Sequence, residues 1–174
     1  MDKITLDRIK LLHPKIRQDA REAYLYANNK LLGKGVRLRF SHTLRTYKEQ
    51  DDLYALGRTV LYRNGQRAGK VTNARGGYSF HNFGLAFDIV LLLDPSGQGY
   101  FNQATWATHV DYDKNGKADW LEVADYFKSV GFEWGGDWTK FKDYPHFQMA
   151  FGKTTAQLRN ARTFIDNGVT YPIL

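Results

Sequence analysis

The apolar positions of the chain change period several times, and each change marks an element. From Ile4 to Leu32 they fall at Ile9, Leu12, Ile16, Ala20, Ala23, Tyr24 and Ala27, the spacing of an amphipathic helix. Pro14 lies inside that run and lacks the N–H that a helix interior needs, so the pattern predicts a short helix leading into a longer one, ended at Gly33-Lys-Gly35. Val36-Arg-Leu-Arg-Phe40 alternates apolar and charged residues as a half-buried strand does, and Thr46 to Tyr62 returns to helical spacing through Leu53, Tyr54 and Leu56. Asn64-Gly65 and Gly76-Gly77 bracket a polar segment around Val71 that reads as a mobile loop. Phe87 to Leu93 predicts a buried central strand, Trp120 to Val130 an amphipathic helix stopped by Gly131, and Pro145 to Phe151 a further strand. Thr154 to Leu174 predicts a short helix around Leu158 followed by an apolar tail.

Helices and strands alternate irregularly, with no internal repeat and no Pro/Ser-rich linker. That order predicts an α+β fold rather than repeated βαβ units: one compact domain over residues 1–174, a small antiparallel sheet flanked by helices. A chain of 174 residues buries roughly two-thirds of its unfolded surface, enough for a core without staples.

Composition then narrows the chemistry. Cysteine is absent, so any metal must be held by His, Asp, Glu or carbonyl oxygens. The first ten residues mix charges of both signs and lack the apolar run of a secretion signal, and Ile89-Val-Leu-Leu-Leu93 is too short to span a bilayer. The expectation is a protein made in the cytoplasm, not inserted in a membrane, and a monomer. The net charge of +7 favours an anionic partner. Its basic residues are dispersed rather than gathered in a tract, which argues against nucleic acid.

Ser79-Phe-His-Asn-Phe-Gly-Leu-Ala-Phe-Asp88 places His81 and Asp88 immediately before the most apolar strand. A carboxylate there costs several kcal/mol in desolvation unless it is paired or metal-bound. Phe141-Lys-Asp-Tyr-Pro-His-Phe-Gln148 brings His146 to a second strand start, with Asp143 three residues earlier. Two His and one Asp make a three-ligand zinc set with an open fourth position, the arrangement of catalytic zinc. From the residues alone, His81 and Asp88 also fit a hydrogen-bonded core pair, Asp143 an ordinary turn acid, and Arg45 a surface partner of Asp51 or Asp52.

These motifs, with Leu44-Arg-Thr-x-x-x-Gln50-x-x-Leu-Tyr-x-x-Gly57-Arg-Thr59 and Gly131-Phe-Glu-Trp-Gly-Gly-Asp-Trp138, resemble the zinc peptidases of the D-alanyl-D-alanine and L-alanyl-D-glutamate peptidase family, phage endolysins in particular. The resemblance implies a Hedgehog/DD-peptidase-like fold and zinc on His81, Asp88 and His146. It makes Asp143 the general base and sets Arg45 near the scissile carbonyl. Asp rather than Glu at position 143 resembles the branch that cuts peptidoglycan stem peptides between L-alanine and D-glutamate. The implied setting is host-cell lysis, the enzyme waiting in the host cytoplasm and reaching the cell wall after the membrane is permeabilised. Ser79 is expected to orient a ligand by hydrogen bonding and Trp134 and Trp138 to line the groove or to serve as packing anchors in a Gly-rich turn, while His13, His42 and His109 fall outside the motifs as core or surface residues.

A second metal site is expected in Asp111-Tyr-Asp-Lys-Asn-Gly-Lys-Ala-Asp-Trp-Leu-Glu122, which matches the EF-hand calcium loop. Asp111, Asp113, Asn115, Asp119 and Glu122 are its side-chain ligands and Lys117 offers its carbonyl; no clear entering helix precedes the loop, so a single ion there is structural or regulatory, ordering the groove wall, and the other reading of these residues is a solvated acidic turn that caps the following helix. The alternatives are a D-alanyl-D-alanine carboxypeptidase or dipeptidase, and a non-catalytic calcium- or wall-binding protein on the same fold.

Overall fold

The computed structural model describes residues 2–174. In chain order the elements are α1 (Lys3–Ile9), α2 (Pro14–Tyr26), β1 (Val36–His42), α3 (Tyr47–Ala55), β2 (Tyr62–Arg63), β3 (Gln66–Arg67), β4 (Ala86–Leu93), β5 (Gln103–Thr105), α4 (Asp119–Ser129), β6 (Glu133–Trp134), β7 (His146–Gln148), α5 (Thr155–Arg159), β8 (Thr163–Asp166) and β9 (Val169–Pro172). The α+β class expected from the sequence is what the chain adopts. No helix among the described residues is long and apolar enough to cross a membrane.

The main sheet runs β1-β4-β7-β6, with β5 pairing the far half of β4. All of its pairings are antiparallel. Period two assigns the two faces. Phe40, Phe87, Phe147 and Trp134 point to one side and stack across four strands, with successive ring centroids 4.2, 5.6 and 6.3 Å apart. Phe127 of α4 meets this row edge-on, and Ile16, Ala20, Ala23 and Tyr24 of α2 complete the core. The alternate residues face the other way. Asp88 lies directly opposite His146, and Ala86 opposite Gln148, so one register brings the candidate ligands together on the face turned from the core.

The N-terminus is clasped onto this scaffold. Asp2 caps α1, accepting from Thr5 N–H and its hydroxyl, and takes both arms of Arg39 at 2.8 Å. Burial alone would raise the Asp2 carboxyl, but Arg39 and Thr5 outweigh it and hold the group below its ordinary value. Its contribution is therefore present above the unfolded value and is lost as pH falls through the lower folded one. Asp2→Ala is expected to lower unfolding free energy at pH 7 by about 2–3 kcal/mol. Urea melts should show that difference narrowing as both proteins are taken below about pH 4.

Three elements differ from the sequence pattern. The helix predicted over 46–62 ends at Ala55, because Gly57 adopts φ +69° and sits so tightly against Gly69 and Lys70 that a Cβ there would lie 2.5 Å from their backbone. Residues 62–67 instead form the hairpin β2–β3 around Asn64-Gly65, both at positive φ. The strand expected over 145–151 closes at Gln148, and Phe151 and Gly152 turn the chain with positive φ. The apolar tail is the hairpin β8–β9 around Asn167-Gly168. The polar segment near Val71 is tied down: Gln50 Nε2 donates to the Ala74 carbonyl and Gly76 N–H to Asp51.

Candidate metal centre and active site

The His81 motif is built by a tight turn. Ser79 caps a single 3-10 turn over Phe80–Phe83, which Gly84 ends at φ +68°. A Cβ on Gly84 would press within 2.9 Å of both the His13 backbone and Tyr171, so only glycine lets the turn dock there. The chain then enters β4, with His81 and Asp88 both presented to the same cleft.

Three acceptors converge at its floor. His81 Nε2 lies 3.2 Å from Asp88 Oδ1 and 3.1 Å from His146 Nδ1, and that Nδ1 is 3.4 Å from the same Asp88 oxygen. The outer nitrogens decide the tautomers. His81 Nδ1 donates to the Thr43 carbonyl at 2.6 Å. His146 Nε2 donates to Gln148 Oε1 at 3.0 Å, and the Gln148 amide is fixed that way round because its Nε2 donates to Glu133 at 2.8 Å. Both inner nitrogens are left as lone pairs facing a carboxylate oxygen. Three buried acceptors this close call for a positive charge between them, a proton or a metal ion. Two imidazoles and a carboxylate suit zinc.

The electrostatics agree. Burial pulls His81 down to about 4, keeping its ring neutral. Burial would raise Asp88, yet His81, His146 and Arg45 together hold it well below the usual carboxylate value. For His146, burial is outweighed by Asp88 and Gln148, which push the ring up. A proton on His146 and a divalent cation are two ways of neutralising one pocket, so metal uptake displaces the proton.

Asp88 is aimed by a second set of contacts. Its Oδ2 takes Nη2 of Arg45, which leaves Oδ1 for the histidines. Arg45 in turn donates to Gln50 Oε1 at 3.3 Å, and its Nε is buried without a partner among the described residues. The surface pairing with Asp51 or Asp52 does not form. Asp143 stands on the loop before β7, beside the cleft, where Gly135 receives its backbone: Asp143 N–H donates to the Gly135 carbonyl. Among the described residues its carboxylate has no hydrogen-bond partner. Burial, and then the charge of Asp88, raise its pKa. The result is a carboxylate ready to accept a proton at the mouth of the site.

A family model described as D-alanyl-D-alanine carboxypeptidase matches residues 72–149, the stretch that contains His81, Asp88, Asp143 and His146. The peptidoglycan L-alanyl-D-glutamate endopeptidase CwlK of Bacillus subtilis is 44% identical over 138 residues, covering 79% of this chain and 73% of that protein. The chain belongs to the D-alanyl-D-alanine carboxypeptidase family. The L-Ala D-Glu endopeptidase ChiX of Serratia marcescens shares the fold, with a TM-score of 0.53 at 20% identity over 87% of this chain and 90% of that one. The cleft, about 760 Å³ in volume, is accordingly that of a peptidase.

Within the carboxypeptidase-family site the remaining expectations divide. Ser79 lines the cleft, but its Oγ accepts from the backbone N–H of His81, and the ring is aimed by Thr43 instead. Trp138 lines the cleft with its ring centroid 5.1 Å from that of His146. Trp134 does not line it: the register puts Trp134 on the core face, where Nε1 donates to the Tyr144 carbonyl. His13 is structural, capping α2 and reaching the Pro172 carbonyl, and His109 is exposed. His42 was expected outside the site and lines the cleft, because an irregularity in β1 between Phe40 and His42 turns the strand end toward Asp88. Trp106, unmarked by any motif, stands on the same cleft, 55% exposed. Gln148 and Glu133 were also missed, although period two from His146 places Gln148 on the ligand face.

Gln148→Ala removes the acceptor that fixes the His146 tautomer. It is expected to weaken metal binding about 10- to 100-fold, measured by competition with a chromogenic zinc chelator.

Proposed function

We propose that the chain is a zinc-dependent endopeptidase that hydrolyses the bond between L-alanine and D-glutamate in peptidoglycan stem peptides. The observation that carries the reading is the convergence of His81 Nε2, Asp88 Oδ1 and His146 Nδ1, with both outer ring nitrogens already committed to acceptors. Zinc held there supplies a Lewis acid that polarises the scissile carbonyl and lowers the pKa of water to about 7. Asp143 accepts the proton of the attacking water at its free carboxylate and returns it to the leaving amine. Arg45 keeps Asp88 in place and turns its unused N–H groups toward charge developing on the carbonyl oxygen. Trp138 and Trp106 wall the cleft on which the peptide lies.

The choice of bond is supported by the names of CwlK and ChiX, and a D-alanyl-D-alanine carboxypeptidase remains the alternative that the family description carries. Digestion of purified peptidoglycan, followed by mass spectrometry of the new termini, separates them. New L-alanine C-termini and D-glutamate N-termini, abolished by zinc chelation and restored by zinc, are expected; release of free D-alanine, or intact substrate under every condition, would overturn the reading.

The biological setting carried by the resemblance of residues 44–59 and 131–138 to endolysins is phage-driven lysis, by a monomer made in the host cytoplasm. Expression in bacteria should lyse cells only when a membrane-permeabilising protein is co-expressed. The net charge of +7 holds the enzyme near anionic wall polymers, an attraction that added salt weakens.

A further inference from the structure

The loop before α4 contains a charge that the fold leaves unanswered. Ligand oxygens of Asp111, Asp113 and Asp119 lie within 4.8 Å of one another. Asp111 and Asp113 receive backbone N–H groups of the loop, and Asp113 Oδ2 also takes the Gly33 N–H at 2.6 Å, fastening the loop to the turn before β1. Asp119 differs from them. It is 0% exposed, its Oδ2 accepts one bond from Tyr112 N–H at 2.6 Å, and its Oδ1 has no hydrogen-bond partner among the described residues. A carboxylate oxygen sealed from water with nothing to bond is a costly arrangement, and the first turn of α4 supplies no cation to offset it. Burial accordingly pushes the Asp119 carboxyl up to about 6.

We propose that residues 111–122 bind one calcium ion, with Asp119 as the buried ligand that the ion completes. Asp111, Asp113, Asn115 and Glu122 supply further side-chain oxygens, and the Lys117 carbonyl the seventh-position one. Gly116 at φ +94° makes the sharp turn, and α4 begins at Asp119 as the exiting helix. An all-oxygen donor set selects calcium over zinc, and this many protein ligands suit calcium better than magnesium, which keeps most of its waters. Glu122 is already drawn into the loop, its Oε2 accepting from Asn115 Nδ2 at 2.9 Å.

The site also reaches the cleft. The Tyr112 hydroxyl is 2.9 Å from Thr105 Oγ1, at the end of β5 and next to Trp106 on the cleft wall. Calcium therefore fixes the segment that carries Trp106, a consequence that rests on the peptidase reading; the binding itself does not.

The test is a calcium titration of the zinc-loaded protein followed by thermal melting. At calcium well above its dissociation constant the midpoint should rise by about 5–10 °C, with one ion per chain by calorimetry and a much smaller effect of equal magnesium. Asp119→Asn keeps an acceptor for Tyr112 but loses the charge. It should abolish the calcium shift and melt no lower than wild type in calcium-free buffer, an opposite-sign pair that a purely structural aspartate does not give. If Asp119→Asn does not fold, Glu122→Gln should weaken binding at least about tenfold. No saturable shift in wild type, or a full shift in either variant, overturns the site. On peptidoglycan fragments calcium should lower KM and leave kcat within about twofold; an unchanged KM alongside proven binding overturns the coupling to Trp106 alone, and loss of all activity with binding intact overturns the peptidase reading instead.

Discussion

Asp143→Ala is expected to lower kcat on peptidoglycan fragments by about 10³-fold while the protein still binds one zinc per chain and melts within a few degrees of wild type. The expectation follows from what Asp143 touches. Its backbone is structural: the N–H donates to the Gly135 carbonyl and the carbonyl accepts from His146 N–H, bonds that alanine keeps. Its carboxylate bonds to nothing among the described residues, so the fold loses little when it goes. On the proposed mechanism, the chemistry loses the group that takes the proton from water. Asp143→Asn sharpens the test, since it preserves shape but not basicity and should be as inactive as alanine. If asparagine restored activity, the carboxylate would be serving the turn rather than the reaction. Steady-state release of new amino termini, with metal content and melting curves on the same preparations, gives all three readouts.

The ligand set was legible in the sequence because it is nearly local. His81 and Asp88 flank one turn and the start of one strand, and His146 joins them through a single antiparallel register on the adjacent strand. A buried carboxylate leading the most apolar strand had to be answered, and the motif named its partners. What aims those ligands was not legible. The Thr43 carbonyl that fixes His81 is backbone, for which any residue would do, and Glu133 reaches Gln148 only through the pairing of β6 with β7. Trp134 and Trp138 looked equivalent in a Gly-rich segment, and only the register separates the core ring from the cleft ring. Trp106 follows an edge strand, Gln103-Ala-Thr105, too short and too polar to announce itself. Some misses were avoidable. Asn167-Gly168 between two β-rich runs is the same hairpin signal as Asn64-Gly65, and reading either as a two-residue turn would have given β8–β9 or stopped the 46–62 helix early.

Arg45→Ala is expected to cost more than the ordinary loss of a surface pair, because Arg45 is held between two buried groups. Gln50 is fully buried, and its amide is oriented by donating to Thr72 Oγ1 and the Ala74 carbonyl, so its oxygen is presented to Arg45. The guanidinium therefore arrives at Asp88 from a fixed direction and takes Oδ2, and Oδ1 alone is left to face the histidines. Alanine at 45 leaves that Oδ2 without its charged partner in a buried site, which destabilises the metal-free protein by about 3 kcal/mol and frees the carboxylate to rotate. Zinc affinity should fall about tenfold or more and kcat/KM by about 10²–10³, since on the proposed mechanism the guanidinium N–H groups that face the carbonyl oxygen are lost as well. Lysine is the informative replacement. It restores the charge beside Asp88, so zinc affinity should recover most of the way, but it cannot hold Gln50 and Asp88 at once with a planar fork, so kcat should stay low. Full recovery of kcat in Arg45→Lys would show that charge alone matters there, and an unchanged zinc affinity in Arg45→Ala would show that Asp88 is aimed by the two histidines without help.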